Sequence, residues 1–328
     1  MTTPTVMKAV TARRYGGPEV LAVEEVPIPA PGDGEVLVRV AAAGLDRGAW
    51  HLMTGLPYLV RPMSGMRHPR RPVVGSECAG TVVGVGADVT SVQPGDAVMG
   101  ACWGAFAEYA VMKERSLGRV PMAVPIEHSA ALPISGVTAL QALRDRARLA
   151  NGARVLVIGA SGGVGTFTVQ LARAFGAEVT GVCSAAKAEL VASLGTARVL
   201  DYATQEITDD GTRYDAIIDI GGNRPLRVLR QALAPKGALV IVGGENAGRI
   251  FFGLGRPIRA QAMGVFTRQR MGTFVAATRA ADLEVLRRHV DEGGLRPVID
   301  RVGSFADLPD AMRDLEAGRI RGKFVAVP

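Results

Sequence analysis

The spacing of apolar residues changes character along the chain. From Met7 to about Val120, short apolar stretches are cut repeatedly by Gly and Pro. Val36, Val38 and Val40 are interleaved with Leu37 and Arg39, as in a half-buried strand. Two more strands are predicted around turns at 84–88 and 93–96, and another over AEYAVM, which follows Gly100. Short strands joined by tight turns predict an antiparallel, barrel-like domain. Between two of them, residues 43–77 read as one long irregular connection carrying Arg61, Arg67, His68, Arg70 and Arg71. Such a connection is either functional or a solvated charged face.

From Ile126 to Leu149 the period becomes helical, with Val137, Ala139, Leu140 and Leu143 at helical spacing. Strand and helix patterns then alternate. RVLVIG, EVTGVC, ARVLDY, YDAIIDIGG and GALVIVGG read as strands, with KAELVASLG and PLRVLRQAL among the intervening helices. That alternation implies right-handed crossovers and a doubly wound parallel sheet. After it come an amphipathic helix ending at Gly293 and Gly294, the strand RPVIDRVGSF, the helix DLPDAMRDLEAG and the strand GKFVAVP. Too little chain remains there for an independent core, so these elements are expected to close the first domain. The expected organisation is one domain from 1–125 and 267–328, with a second inserted over 126–266.

The second domain is organised around residues 154–174, RVLVIGASGGVGTFTVQLARA. Val155, Leu156, Val157 and Ile158 form a β-branched run suited to a strand buried on both faces. A glycine turn follows, and Phe167, Val169, Leu171, Ala172 and Phe175 then fit a helix. The turn reads Ala160-x-Gly162-x-x-Gly165, the dinucleotide fingerprint with Ala in place of its first Gly. Bare N–H groups at a helix N-terminus meet a pyrophosphate with donors and a positive dipole end, so Ser161, Gly162, Gly163 and Val164 are candidate pyrophosphate residues. A protein selecting NAD places Asp or Glu at the end of the second strand. Here that strand ends in Cys183 and Ser184, with Lys187 just beyond, which points to NADP(H). Gly221, Val242 and Gly243 follow strands at their C-terminal ends, where such sheets bind ligands.

Composition narrows the class. The chain has 328 residues, 48% of them apolar, enough for two cores. No leader pattern and no membrane-length apolar stretch are evident, so a cytoplasmic protein with no membrane partner is expected. Three scattered cysteines support neither a disulfide framework nor a Cys-x-x-Cys metal site. The formal charge of +7 comes from Lys and Arg spread along the chain, with no aromatic and basic platform, so nucleic acid is not an expected partner.

The motifs GGPEVL, Pro94-Gly95-Asp96-Ala97-Val98, Leu132-Pro133 with Gly136-Val137-Thr138-Ala139, GASGGVGTFTVQLARAFGAEV, VCSAAKAELVASLGTARVLDY and the terminal GKFV occur together. In this combination the chain resembles the medium-chain dehydrogenase/reductase superfamily, specifically its zinc-free quinone oxidoreductase branch. The resemblance implies an α/β fold, a GroES-like β-barrel domain plus a Rossmann doubly wound parallel-sheet domain. It assigns Ser184 and Lys187 to the 2′-phosphate of NADP(H), Tyr202 to the adenine end and Thr138 to the nicotinamide end. Zinc-dependent relatives carry a Cys near the place of Asp46 and a His in Gly-His-Glu, which here reads Gly75-Ser76-Glu77, so no metal is expected. Lacking a Lewis acid, hydride transfer favours electron-poor acceptors, a quinone or an enone. Tyr58 is the candidate proton donor or oxygen holder, and Asp46, where many zinc-free relatives have Asn, the candidate for orienting ribose or a substrate hydroxyl. An enoyl-thioester reductase and an NADPH-binding protein without turnover are the competing readings. The superfamily habit is a homodimer formed through the Rossmann sheet edge.

Overall fold

The structure, a computed structural model, describes residues 5–222, 224–243 and 268–328. The chain divides into two compact units, Met1–Val137 with Thr278–Pro328, and Thr138–Ala277. In chain order the strands are β1 (Val6–Ala12), β2 (Leu21–Pro27), β3 (Glu35–Gly44), β4 (Glu77–Val85), β5 (Ala97–Cys102), β6 (Tyr109–Arg119), β7 (Arg154–Ile158), β8 (Glu178–Cys183), β9 (Arg198–Asp201), β10 (Tyr214–Asp219), β11 (Leu233–Ile241), β12 (Arg270–Thr273), β13 (Ile299–Ser304) and β14 (Lys323–Val327).

In the first unit β3 pairs antiparallel with both β4 and β6, and β5 pairs with β4 and β6, so the four strands close into a ring. Closure removes the exposed edges that a flat sheet of these strands would leave. Val36, Val38 and Val40 are buried while Arg39 is exposed, the in-and-out order their spacing predicts. The chain returns from the other unit to add β14 antiparallel to β3, and β13 parallel to β14. Helix Ala280–Asp291 packs on β6. The first unit also takes in residues 126–137, because helix Ile126–Ser129 touches β3, β4 and β14. The return comes at Thr278 rather than at the expected 267, because β12 (Arg270–Thr273) pairs with β11 in the sheet of the second unit.

Residues 43–77 are not irregular throughout. Helix Arg47–Thr54 is capped by Asp46, whose Oδ1 accepts from Ala49 N at 2.9 Å, and ends at Gly55 with φ 62°. Ala49 and Met53, one turn apart, are its buried face. With a single turn of amphipathic signal, the caps at both ends are what specify it. Short helical turns at Tyr58–Val60 and Arg61–Ser64 follow. The helical stretch from 126 is broken too, with wider π-type turns at Leu132–Gly136 and Ala142–Ala147. Pro133 removes a backbone donor there.

In the second unit all six strands are parallel, in the order β12-β11-β10-β7-β8-β9. This is the doubly wound order, and its direction reverses between β7 and β10. Val155, Leu156, Val157 and Ile158 are all buried, as a central strand requires.

The first unit also buries an ion pair. Glu77, fully buried at the start of β4, receives Lys323 Nζ from the start of β14 on Oε1, and Ile134 N–H at 2.6 Å on Oε2. The pair ties two strands to the 132–136 turn. Burial pushes Glu77 up to about 7, with the Asp46 charge adding to the rise and Lys323 opposing it. Because the folded value lies above the unfolded one, the native state holds this proton more tightly. Glu77 therefore contributes most below its unfolded value, and that contribution is lost as pH rises through about 7. Glu77→Gln puts a non-titrating neutral group beside Lys323, so by urea unfolding it is expected to lie within about 1 kcal/mol of the natural protein at pH 5, where Glu77 is itself neutral. The stability of the natural protein relative to the variant should fall between pH 5 and 7 and level off above; a difference independent of pH would remove Glu77 as the titrating group.

Candidate functional site

The glycine turn sits at the end of β7, on the reversal point of the sheet. Gly159 takes the left-handed backbone (φ 85°) and lets the chain turn. A Cβ on Gly165 would lie 2.1 Å from the Gly159 carbonyl oxygen, so only glycine lets helix Gly163–Ala174 approach the strand this closely. A Cβ on Gly162 would meet nothing closer than 3.6 Å. Gly162 is left bare by the fold, which marks it as open to a ligand rather than packed. Ala160 is tolerated at the fingerprint's first position because Gly159 supplies the positive φ, while Ala160 itself is fully buried. Ser161 is buried in the turn, and Gly163 and Val164 open the helix half-buried. By helix geometry the first N–H groups have no carbonyl ahead of them and face outward.

Two other strand ends are drawn to the same place. Ile220 and Gly221 N–H both donate to Ile158 O, at 3.0 and 3.3 Å. Asp219, fully buried, accepts from Gly222 N–H on Oδ1 at 3.0 Å, and its carbonyl accepts from Val242 N–H at 2.9 Å. Gly159, Gly221, Val242 and Gly243 thus form one surface at the C-terminal ends of β7, β10 and β11. Asp219 holds two of these turns, a role that sequence reasoning missed; its signal was an acid at the end of the apolar run in YDAIIDIGG. Thr138 is half-buried on the short helix Val137–Gln141.

Ser184, Lys187 and Tyr202 meet at the ends of β8 and β9, where Cys183 pairs with Asp201 and Tyr202 N–H donates to Cys183 O at 3.1 Å. Ser184 and Lys187 begin and end the turn after β8. Burial and the Asp201 charge raise the Cys183 thiol, and Lys187 pulls it down, so the ammonium is within electrostatic reach of the strand end. The Asp201 carboxylate is turned to its own loop, accepting from Ala203 N–H at 3.1 Å and Thr204 Oγ1 at 3.4 Å. Among the described residues, the turn that follows β8 thus carries Ser184 and Lys187 where a ribose-reading carboxylate would stand.

In the first unit, Asp46 is buried; Oδ1 caps the helix, and Oδ2 is buried with no hydrogen-bond partner. Tyr58 is 41% exposed, with the Arg61 guanidinium 4.6 Å from its ring centroid. Arg61 also stacks on Tyr15 at 4.6 Å and donates to Gly55 O, so it braces the loop. Sequence reasoning also missed the Cys78 and Cys102 pair. Their Sγ atoms lie 3.6 Å apart, and the Cys102 contact and burial push the Cys78 thiol up.

Residues 32–122 match the family of alcohol dehydrogenase GroES-like domains, and 194–325 the family described as zinc-binding dehydrogenase. The chain is 34% identical to a chloroplastic quinone-oxidoreductase of Triphysaria versicolor, over 98% of both chains. It is 30% identical to a 2-methylene-furan-3-one reductase of Solanum lycopersicum, over 99% of this chain and 80% of that one. A mycobacterial protein solved with NADPH superposes with a TM-score of 0.82 at 26% identity, covering 98% of this chain and 100% of the other. The chain belongs to the quinone oxidoreductase branch of the medium-chain dehydrogenase/reductase superfamily.

As such an oxidoreductase it must be asked whether it fits the zinc that one matching family's description implies. Glu77 has both oxygens committed, to Lys323 and to Ile134 N–H, and His51 Nδ1 bonds Leu56 O at 2.7 Å. Asp46 Oδ2 has no hydrogen-bond partner, but a carboxylate oxygen, even with one ring nitrogen of His51, is not the nitrogen and sulfur shell zinc prefers. Among the described residues no group of three or more His, Cys, Asp or Glu converges. The donors do not fit zinc. The glycine turn does fit a dinucleotide, through the bare surface at Gly162.

That difference between the two glycines is open to measurement. Gly162→Ala is expected to leave unfolding stability within about 0.5 kcal/mol, while weakening NADPH in calorimetry by about tenfold or more. Gly165→Ala should lower both, because helix and strand must part. Equal loss of stability in the two variants would mean that Gly162 is packed, not exposed.

Proposed function

We propose that the protein is an NADPH-dependent reductase that delivers hydride to a quinone or to a C=C conjugated with a carbonyl, without a metal. The observation that carries the cofactor choice is the turn after β8, where, among the described residues, Ser184 and Lys187 stand in place of an acid and Asp201 is hydrogen-bonded to its own loop. A carboxylate there would repel a 2′-phosphate, whereas an ammonium attracts it. The acceptor class is supported by chemistry and by relatives named for quinone and enone reduction. With no metal to polarise a carbonyl, an acceptor that is already electron-poor is needed.

In this reading the N–H groups of Gly163 and Val164 grip the pyrophosphate; Gly162, whose own N–H donates to Gly159 O at 3.2 Å, leaves bare room for it, and Ser161 lies beside them in the turn. Ser184 donates to the 2′-phosphate, Lys187 neutralises it, and Tyr202, 60% exposed, covers the adenine. Thr138, Gly221, Val242 and Gly243 line the nicotinamide end. The bound reduced nicotinamide supplies the hydride. Tyr58 O–H holds the acceptor oxygen and gives it the proton. Asp46 Oδ2, buried and without a partner, accepts from a ribose or substrate hydroxyl, which would satisfy a group that is otherwise costly to bury. The chain works in the cytoplasm. It forms a homodimer through β12, which is an outer strand of its sheet among the described residues. Light scattering should then give about twice the 34.3 kDa chain mass, and a monomer would remove that edge from use.

Initial rates with quinones, enones and enoyl thioesters, each with NADPH and NADH, test the reading. NADPH should be preferred, and Lys187→Ala should raise its KM by about tenfold to a hundredfold, the loss of one charge-assisted contact, with little change for NADH. Preference for NADH, or nucleotide oxidation that no acceptor stimulates, would overturn it.

A further inference from the structure

The structure sorts the arginines of the 61–71 segment into two kinds. Arg61 is locked between Tyr15 and Tyr58. Arg70 and Arg71 are exposed, make no ion pair among the described residues, and rim a cavity of about 240 Å³ within the first unit. Its described lining holds no Asp or Glu. Apart from the hydroxyl of Ser64 and the two arginines, the described walls are apolar, Met53, Met63, Val74 and Trp103 among them. Met63 is 77% and Trp103 48% exposed, an apolar surface held open beside fixed positive charge.

Arg71 lies over the Trp103 ring, 5.4 Å from its centroid. A guanidinium placed over an indole face can still turn N–H donors to an oxyanion in bidentate fashion. Met63 and Trp103 beside it offer thioether and indole faces suited to a planar ring. The volume falls below the roughly 300–1,000 Å³ usual for drug-sized ligands, and suits a compact ring. Met53, in one wall, sits on the helix that Asp46 caps, so the occupant and that residue share one rigid element.

We propose that this cavity binds an acceptor made of a compact planar ring bearing an oxyanion substituent, a carboxylate or sulfonate, with Arg70 and Arg71 as its specificity-determining residues. The assignment rests on the reading of the protein as a quinone reductase. The selective force is electrostatic: a neutral quinone gains only the apolar walls, an acidic one also gains the two guanidinium groups.

The probes are 1,4-naphthoquinone-2-sulfonate and the neutral menadione. Binding is read without nucleotide by quenching of tryptophan fluorescence, and turnover with NADPH. The sulfonate should bind more tightly, and its preference over menadione should fall by about tenfold or more in Arg70→Ala/Arg71→Ala. Arg71→Lys should restore part of it, and Arg67→Ala, outside the cavity, none of the loss. High salt should weaken the sulfonate selectively. An unchanged preference in the double variant would overturn the assignment, as would arginine-dependent binding of an enoyl-CoA but not of the sulfonate. Tight, arginine-dependent binding of the sulfonate with no quinone turned over would support the cavity and overturn the reductase reading instead.

Discussion

The close approach of helix Gly163–Ala174 to β7 is the constraint on which the candidate site depends. Gly165 has its missing Cβ where the Gly159 carbonyl oxygen stands. That contact fixes the start of the helix directly beyond the strand, so its first N–H groups emerge at the point where the sheet reverses. Ile158 O then receives Ile220 and Gly221, and Asp219 gathers the turns after β10 and β11. A larger residue at Gly165 would move the donors away from every other part of the surface.

Charge is handled differently in the two units. In the first, Glu77 and Lys323 are buried together across β4 and β14, and the remaining oxygen of Glu77 is taken by a backbone N–H. A buried pair of this kind adds little net stability over apolar packing, yet losing one partner is costly, so it specifies how the strands and the 132–136 turn meet. In the second unit the relevant feature is a carboxylate turned away: Asp201 closes its own loop and leaves the end of β8 to Ser184 and Lys187.

The arginines show how sequence and structure divide the information. Four arginines and a histidine between 61 and 71 read as one basic loop. In the folded chain they are not equivalent. Arg61 is spent on two tyrosine rings and a carbonyl, while Arg70 and Arg71 rim an apolar cavity. Composition gives the charge, and only packing says which charges are already used.

Both periodicities were legible: the alternation at Val36, Val38 and Val40, and the apolar run at 155–158 with the glycines after it. They are set by local burial and by backbone that only glycine allows, so neighbours in sequence suffice. Residues 47–54 escaped because one buried turn carries little periodicity, and β12 escaped because, of RMGT, Met271 alone is a buried apolar residue. Tertiary structure alone decided that Cys78 meets Cys102, that Glu77 meets Lys323 and that Asp219 holds two turns. Each joins residues distant in sequence or depends on a strand neighbour, and hydrogen bonds and charges of that kind leave no periodic trace.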